Sequence, residues 1–181
     1  MKIEPLKLKG TYKIQLERIG DNRGYFMRFY NRDIFAENGL QTDWIQESVS
    51  FNKEKNTLRG LHFQLPPYDE TKIVRVVNGA IVDFFVDLRK GSETFGKWDS
   101  IELSAENNCA VYIPKGFAHG FKTIENNTLV EYKIDANYNA ESASGIRWND
   151  ADLAVEWNIE NPITSERDTK LQLFKDFVSP F

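Results

Sequence analysis

From Asp43 onward the chain alternates apolar and polar residues with a period of two, the repeat of a strand with one buried face. The pattern predicts strands over Trp44–Asn52, Thr57–Gln64, Lys72–Asn78, Ala80–Leu88, Trp98–Leu103, Ala110–Ile113, Gly120–Thr123 and Leu129–Ile134. Turn residues separate them at Lys55-Asn56, Pro66-Pro67, Asn78-Gly79, Lys90-Gly91-Ser92, Glu106-Asn107-Asn108, Pro114-Lys115-Gly116 and Glu125-Asn126-Asn127. Asn78-Gly79, between two apolar runs, is the strongest local hairpin signal. Short strands at this spacing, with no helices between them, predict an all-β chain closed into an antiparallel barrel or jelly roll.

Upstream, Thr11–Leu16 alternates as a first strand, Asp21-Asn22-Arg23-Gly24 reads as a turn, and a second strand runs over Tyr25–Tyr30. Asn31 caps a short helix, Arg32–Asn38, which Gly39 stops. With only Ile34 and Phe35 apolar, that helix is expected on the surface. Beyond Tyr138 the pattern loosens, and Ser165-Glu166-Arg167-Asp168 has the form of a capping box opening a C-terminal helix. No repeat, low-complexity tract or linker divides the chain, so residues 1–181 are expected to form one domain.

Composition narrows the classes of function. The net charge is −4 and no basic run occurs, which argues against a nucleic-acid partner. No apolar stretch reaches the length of a membrane span, and the charged start, MKIEPLKLKG, lacks the apolar core of a signal peptide. The single cysteine, Cys109, excludes an internal disulfide and a multi-cysteine zinc site, and is expected to be inert packing. Together these features suggest a cytoplasmic protein.

The chain has two histidines, and both sit in glycine-containing β-patterned motifs: His62 in LRGLHFQLPP and His119 in PKGFAHGF. Metal-binding cupin barrels carry an H-x-H pair, a later glutamate and a third histidine in P-x-G-x-x-H. Here Gly60, His62, Gly79, Pro114, Gly116 and His119 keep that scaffold. The second histidine of the pair is Gln64, however, and Lys72 lies near the expected glutamate. An ammonium cannot ligate a divalent cation, so no metal ligands are assigned.

The same residues suit acid–base chemistry. Imidazole titrates where a general base is useful, and a lysine ammonium stabilises an enolate forming on a carbonyl oxygen. Spacing alone equally allows His62 to be a hydrogen-bonded barrel histidine and Lys72 a surface lysine. Arg59 and His62 point to opposite faces of a regular strand. They share a pocket only if Gly60 bulges, so an irregularity is predicted there. Asp83 and Asp87 alternate with Ile81 and Phe85, and pocket support, a salt bridge or an edge role fits either of them.

RGLHFQLPP with its following lysine, VDLRKGSETFGKW, PKGFAHGF, VEYKIDANY, GIRWND and SERD resemble the dTDP-4-dehydrorhamnose 3,5-epimerase family of cupins. The likeness runs from about Arg23 to Asp168. It implies a dimer that uses neither metal nor cofactor and inverts C3 and C5 of a nucleotide-diphosphate-linked 4-keto-6-deoxy sugar, for surface polysaccharide synthesis. It further implies His62 as the base, Asp168 as its partner, Lys72 as the group holding the enolate, and Tyr132 as the acid on the opposite face. Without the resemblance, Tyr132 would read as a core tyrosine beside Val130 and Ile134. Arg59 and His119 would line the site, Tyr138 would form a pocket wall, and Gln46 would contact the nucleotide. Arg23 and Phe26 would reach it from the partner subunit.

Two positions depart from the family pattern. Arg28 stands where an acidic residue is usual, and Ser48 replaces an asparagine. Arginine donates in a two-pronged fashion that matches the O6/N7 edge of guanine, so a GDP-linked hexose or heptose competes with a dTDP sugar. Inversion at C3 alone or C5 alone, a 3,4-ketoisomerase and a non-catalytic sugar-binding cupin are the rival functions.

Overall fold

A computed structural model describes the chain in full, Met1 to Phe181. Its strands, numbered in chain order, form two main antiparallel sheets. The first has the order β1 (Lys2–Pro5), β2 (Tyr12–Gln15), β10 (Cys109–Ile113), β7 (Lys72–Asn78), β12 (Thr128–Ile134) and β5 (Gln46–Asn52). The second runs β13 (Ala143–Gly145), β6 (Leu58–Gln64), β11 (Phe117–Thr123), β8 (Ala80–Asp87) and β9 (Trp98–Ser104). Most neighbours in each sheet are distant in sequence, so the chain crosses repeatedly between sheets in the manner of a jelly roll. A third pair, β3 (Arg18–Asp21) with β4 (Gly24–Met27), joins neither main sheet as a strand.

Alternation decides what lies between the sheets. Val74, Val76, Val111 and Val130 from the first sheet meet Ile81, Phe85, Leu103 and Phe121 from the second in one buried cluster. Full burial of each such side chain contributes about 1.5–3 kcal/mol. A second cluster covers the back of the second sheet. Leu58, Leu61, Phe63 and Phe84 pack there under Trp157 and the C-terminal Phe177 and Phe181. The C-terminal segment is thereby tied to β6, the strand that carries His62.

The expected strand over Lys72–Asn78 coincides with β7. By contrast, β11 begins at Phe117, ahead of the expected start at Gly120, so His119 lies within a strand. The strand expected over Tyr25–Tyr30 ends at Met27. The helix α1 (Arg32–Glu37) is capped as expected, with Asn31 Oδ1 accepting from the amides of Asp33 and Ile34. It lies at the surface as expected, with four of its six residues exposed, and only Phe35 reaches inward, fully buried against Tyr30, Trp44 and Tyr112. One large side chain can anchor a short helix even where few positions are apolar. The second helix, α2 (Glu166–Thr169), opens at Ser165, whose hydroxyl accepts from the Asp168 amide at 3.1 Å.

Candidate active site

The site begins with a defect in a strand. His119 pairs with His62, but Phe121 pairs with Arg59, so β6 carries one residue more than β11 across this step. Gly60 has φ +135°, and a Cβ placed on it would lie 2.5 Å from the Gly120 Cα. A Cβ on Gly120 would in turn lie 2.7 Å from the Arg59 carbonyl oxygen. Only a pair of glycines lets the two backbones approach this closely. The predicted irregularity at Gly60 is thus present, and Arg59 and His62 both line one cavity of about 240 Å³. Lys72, His119, Tyr132 and Ser48 line it as well, drawn from both sheets.

Both histidines are held by carboxylates. His62 Nε2 lies 2.7 Å from Asp168 Oδ1, and Asp168 Oδ2 accepts from the Gly60 amide at 3.2 Å. Burial alone would push the Asp168 carboxyl up. The His62 hydrogen bond and charge, the Gly60 amide and the Ser165 hydroxyl outweigh it and hold the group below its ordinary value. Asp168 is therefore ionised at neutral pH and accepts the Nε2 proton, which leaves Nδ1 of His62 as the basic nitrogen.

His119 Nε2 lies 2.7 Å from Asp83 Oδ2, deep in the barrel. Burial raises the Asp83 carboxyl, while His119 and Lys72 oppose the rise. Asp83 thus backs the cavity through His119, by a contact that is itself of salt-bridge geometry. Asp87 bonds Arg89, Ser92 and Thr94 and lines no part of the cavity.

Tyr132 stands edge-on to His119, with ring centroids 6.4 Å apart. Burial raises its phenol well above the ordinary value, and Asp83 adds to this, against smaller opposing effects from Ser50 and Arg59. The phenol is therefore a proton carrier across the neutral range. Lys72 Nζ lies 2.7 Å from Glu70 Oε1, and both side chains are mostly buried. The chain brings no three His, Cys, Asp or Glu side chains together in a metal-holding arrangement.

Other expected site residues lie outside this cavity. Gln46 begins the edge strand β5, and its Oε1 accepts from the Tyr138 amide at 2.8 Å. The Tyr138 ring is exposed and is not a wall of the cavity, which corrects that expectation for the single chain. The reason is local: the loop after β12 is pinned by its backbone to Gln46, so the ring turns to solvent. Arg23 and Phe26 line a different cleft on the β3–β4 hairpin, where Arg23 pairs with Asp21. Arg28 lies 5.7 Å from the Phe26 ring. Sequence reasoning missed Glu70, although a carboxylate two residues before an inward lysine on a strand is a readable sign of pairing.

The model of the dTDP-4-dehydrorhamnose 3,5-epimerase family matches residues 5–176. A relative of that name from Methanothermobacter thermautotrophicus is 43% identical over 164 residues, covering 89% of this chain and 88% of its own. The crystal structure of the enzyme of that name from Elizabethkingia anophelis superposes with a TM-score of 0.92 at 41% identity, covering 97% of each chain. A Bacillus anthracis structure of the same name, with TDP and PPi bound, also gives 0.92 at 41% identity, over 95% of this chain and 98% of the other.

Proposed function

The chain belongs to the dTDP-4-dehydrorhamnose 3,5-epimerase family, and from that premise we propose that it inverts C3 and C5 of a dTDP-linked 4-keto-6-deoxy sugar. It is an isomerase acting on a nucleotide-linked sugar, and the proposal concerns the nucleotide, the carbons and the residues. The observation that carries it is the convergence of a carboxylate-held imidazole, an ammonium and a protonated phenol on one cavity.

In this reading His62 Nδ1 removes the proton α to the C4 ketone, while Asp168 fixes the ring and steadies the imidazolium that forms. Lys72 faces the negative charge that grows on the C4 oxygen. Tyr132 returns a proton from the opposite face. Two groups are required, because a single base tends to return its proton to the side it came from. Arg59 and His119 hold the sugar and diphosphate. Repetition at the second α carbon completes the double inversion, and a shift of the ring within the site would confine it to C3 or C5 alone.

Residues 1–181 act as one catalytic domain, working in the cytoplasm as a homodimer that supplies surface polysaccharide synthesis. Support for the dimer comes from the exposed Ile19, Tyr25 and Phe26 of the hairpin, an apolar patch that an isolated chain leaves in water. Arg23 and Phe26, reaching across the interface, and Gln46 would hold the nucleotide. The relatives' names favour thymidine, whereas Arg28 favours guanine. Calorimetry with dTDP and GDP decides, and tighter dTDP removes the guanine reading.

The reaction is tested in D₂O with dTDP-4-keto-6-deoxyglucose. Label should enter at both C3 and C5, and product with both centres inverted should accumulate. Bound sugar without exchange would favour a non-catalytic cupin, and carbonyl migration to C3 a 3,4-ketoisomerase.

A further inference from the structure

We propose that Glu70 is a positioning residue for Lys72, and that Gln64 holds Glu70 in place for that purpose. The inference rests on the reading of Lys72 as the group facing the C4 oxygen.

Lys72 is the first residue of β7, where a long flexible side chain has many rotamers and gains nothing from adopting any one of them. Three contacts remove that freedom. Thr71 is clamped from both sides, its amide donating to Asp135 Oδ1 at 2.6 Å and its carbonyl accepting from the Asp135 amide at 3.3 Å. The Lys72 ammonium meets Glu70 Oε1 at 2.7 Å, with each side chain only 12% exposed. The other carboxylate oxygen, Glu70 Oε2, accepts from Gln64 Nε2 at 3.1 Å.

Gln64 is itself almost fully buried and spends every polar atom on this region. The two hydrogens of its Nε2 are shared among Glu70 Oε2 and the carbonyls of Tyr68 and Asn137, and its Oε1 accepts from the Asn139 amide at 2.7 Å. Gln64 is the residue standing where a metal-binding cupin has its second histidine. Here that position buttresses a carboxylate, and the carboxylate buttresses the cation.

The arrangement has a chemical consequence. The buried Asp83 is close enough to feel the Lys72 charge, so an ammonium with no nearer anion would be drawn toward it. Glu70 supplies a competing anion 2.7 Å from the ammonium. The ammonium is thereby held ready for a substrate oxygen instead of collapsing onto Asp83.

The test compares Glu70→Ala, Glu70→Gln and Lys72→Ala by initial deuterium uptake from D₂O into dTDP-4-keto-6-deoxyglucose, alongside calorimetric dTDP binding. Glu70→Ala should slow exchange about 10- to 100-fold. Its dTDP affinity should stay within about 2-fold, because Glu70 touches no nucleotide group in this reading. Glu70→Gln keeps an acceptor for the ammonium and should recover most of the rate. Wild-type exchange in Glu70→Ala, or equal losses in Ala and Gln, would overturn the inference. Full exchange by Lys72→Ala would instead overturn the role given to Lys72, a result distinguishable because it does not involve Glu70.

Discussion

His62 and His119 face one another as direct partners across β6 and β11, and each ring rests on a carboxylate at 2.7 Å. The two pairs differ in depth. Asp168 is held ionised by an amide and a hydroxyl besides its histidine, whereas Asp83 has one bare oxygen and is pushed up by burial. The His62 side chain is 34% exposed and can meet a substrate, whereas that of His119 is 6% exposed, and this separates the roles of two histidines that look alike in the sequence.

Replacing His62 with Ala should cut proton exchange by about 10²–10⁴-fold. Asp168→Asn should fall in the same range for a distinct reason. Its amide can donate to Nε2, which drives the proton onto Nδ1 and blocks the basic nitrogen. Exchange kinetics by NMR check both, and an Asp168→Asn enzyme near wild-type rate would remove Asp168 from the mechanism.

Tyr132→Phe should separate the two halves of the reaction. Initial loss of the α proton continues, while inversion falls by about 100-fold because the opposite face has lost its donor. Equal losses in exchange and inversion would demote Tyr132 to a wall of the cavity.

Gly60→Ala should destabilise the fold by roughly 2–4 kcal/mol, since the new methyl meets backbone and the residue keeps a positive φ. Thermal unfolding measures this. A neutral substitution would mean that the close approach of β6 and β11 is not required.

Acid should weaken the fold through Asp87. Burial raises this carboxyl, but bonds from Arg89, Ser92 and Thr94 outweigh it and bring it down to about 2. A depressed carboxylate contributes fully above its unfolded value near 3.9 and loses that contribution as pH falls through the folded value. The contribution is about 2 kcal/mol. Urea unfolding of wild type and Asp87→Asn should differ most at neutral pH and converge toward pH 2 (roughly the folded value). A gap that ignores pH would contradict the assignment.

A shared active site would show in mixed dimers. Arg23→Ala and His62→Ala, each inactive alone, should regain roughly a quarter of wild-type activity when refolded together, because half the dimers then carry one intact site. No recovery would mean that Arg23 serves its own chain.

The sequence made some of this structure legible and hid the rest for identifiable reasons. Asn31 and Ser165 were readable as caps because a cap is a local bond. The bulge at Gly60 was readable because Arg59 and His62 could not otherwise share a face. The strand β1 was missed, since its Lys2–Pro5 run is only four residues long, ends in a proline and is held by pairing with β2. Phe35 looked peripheral because its partners, Trp44 and Tyr112, arrive from elsewhere in the chain. Asp83 remained ambiguous for the same reason: its meaning depends on His119, a partner 36 residues away.

The carboxylate that arms His62 is synthesised 106 residues after the ring it serves. A nascent polypeptide can therefore close most of its barrel while the histidine is still without its anion. Clipping ahead of Ser165 would remove that carboxylate together with Phe177 and Phe181, which cover the back of the second sheet. With His62 as the proposed base, activity would report on the integrity of the final segment as sensitively as any tag placed there.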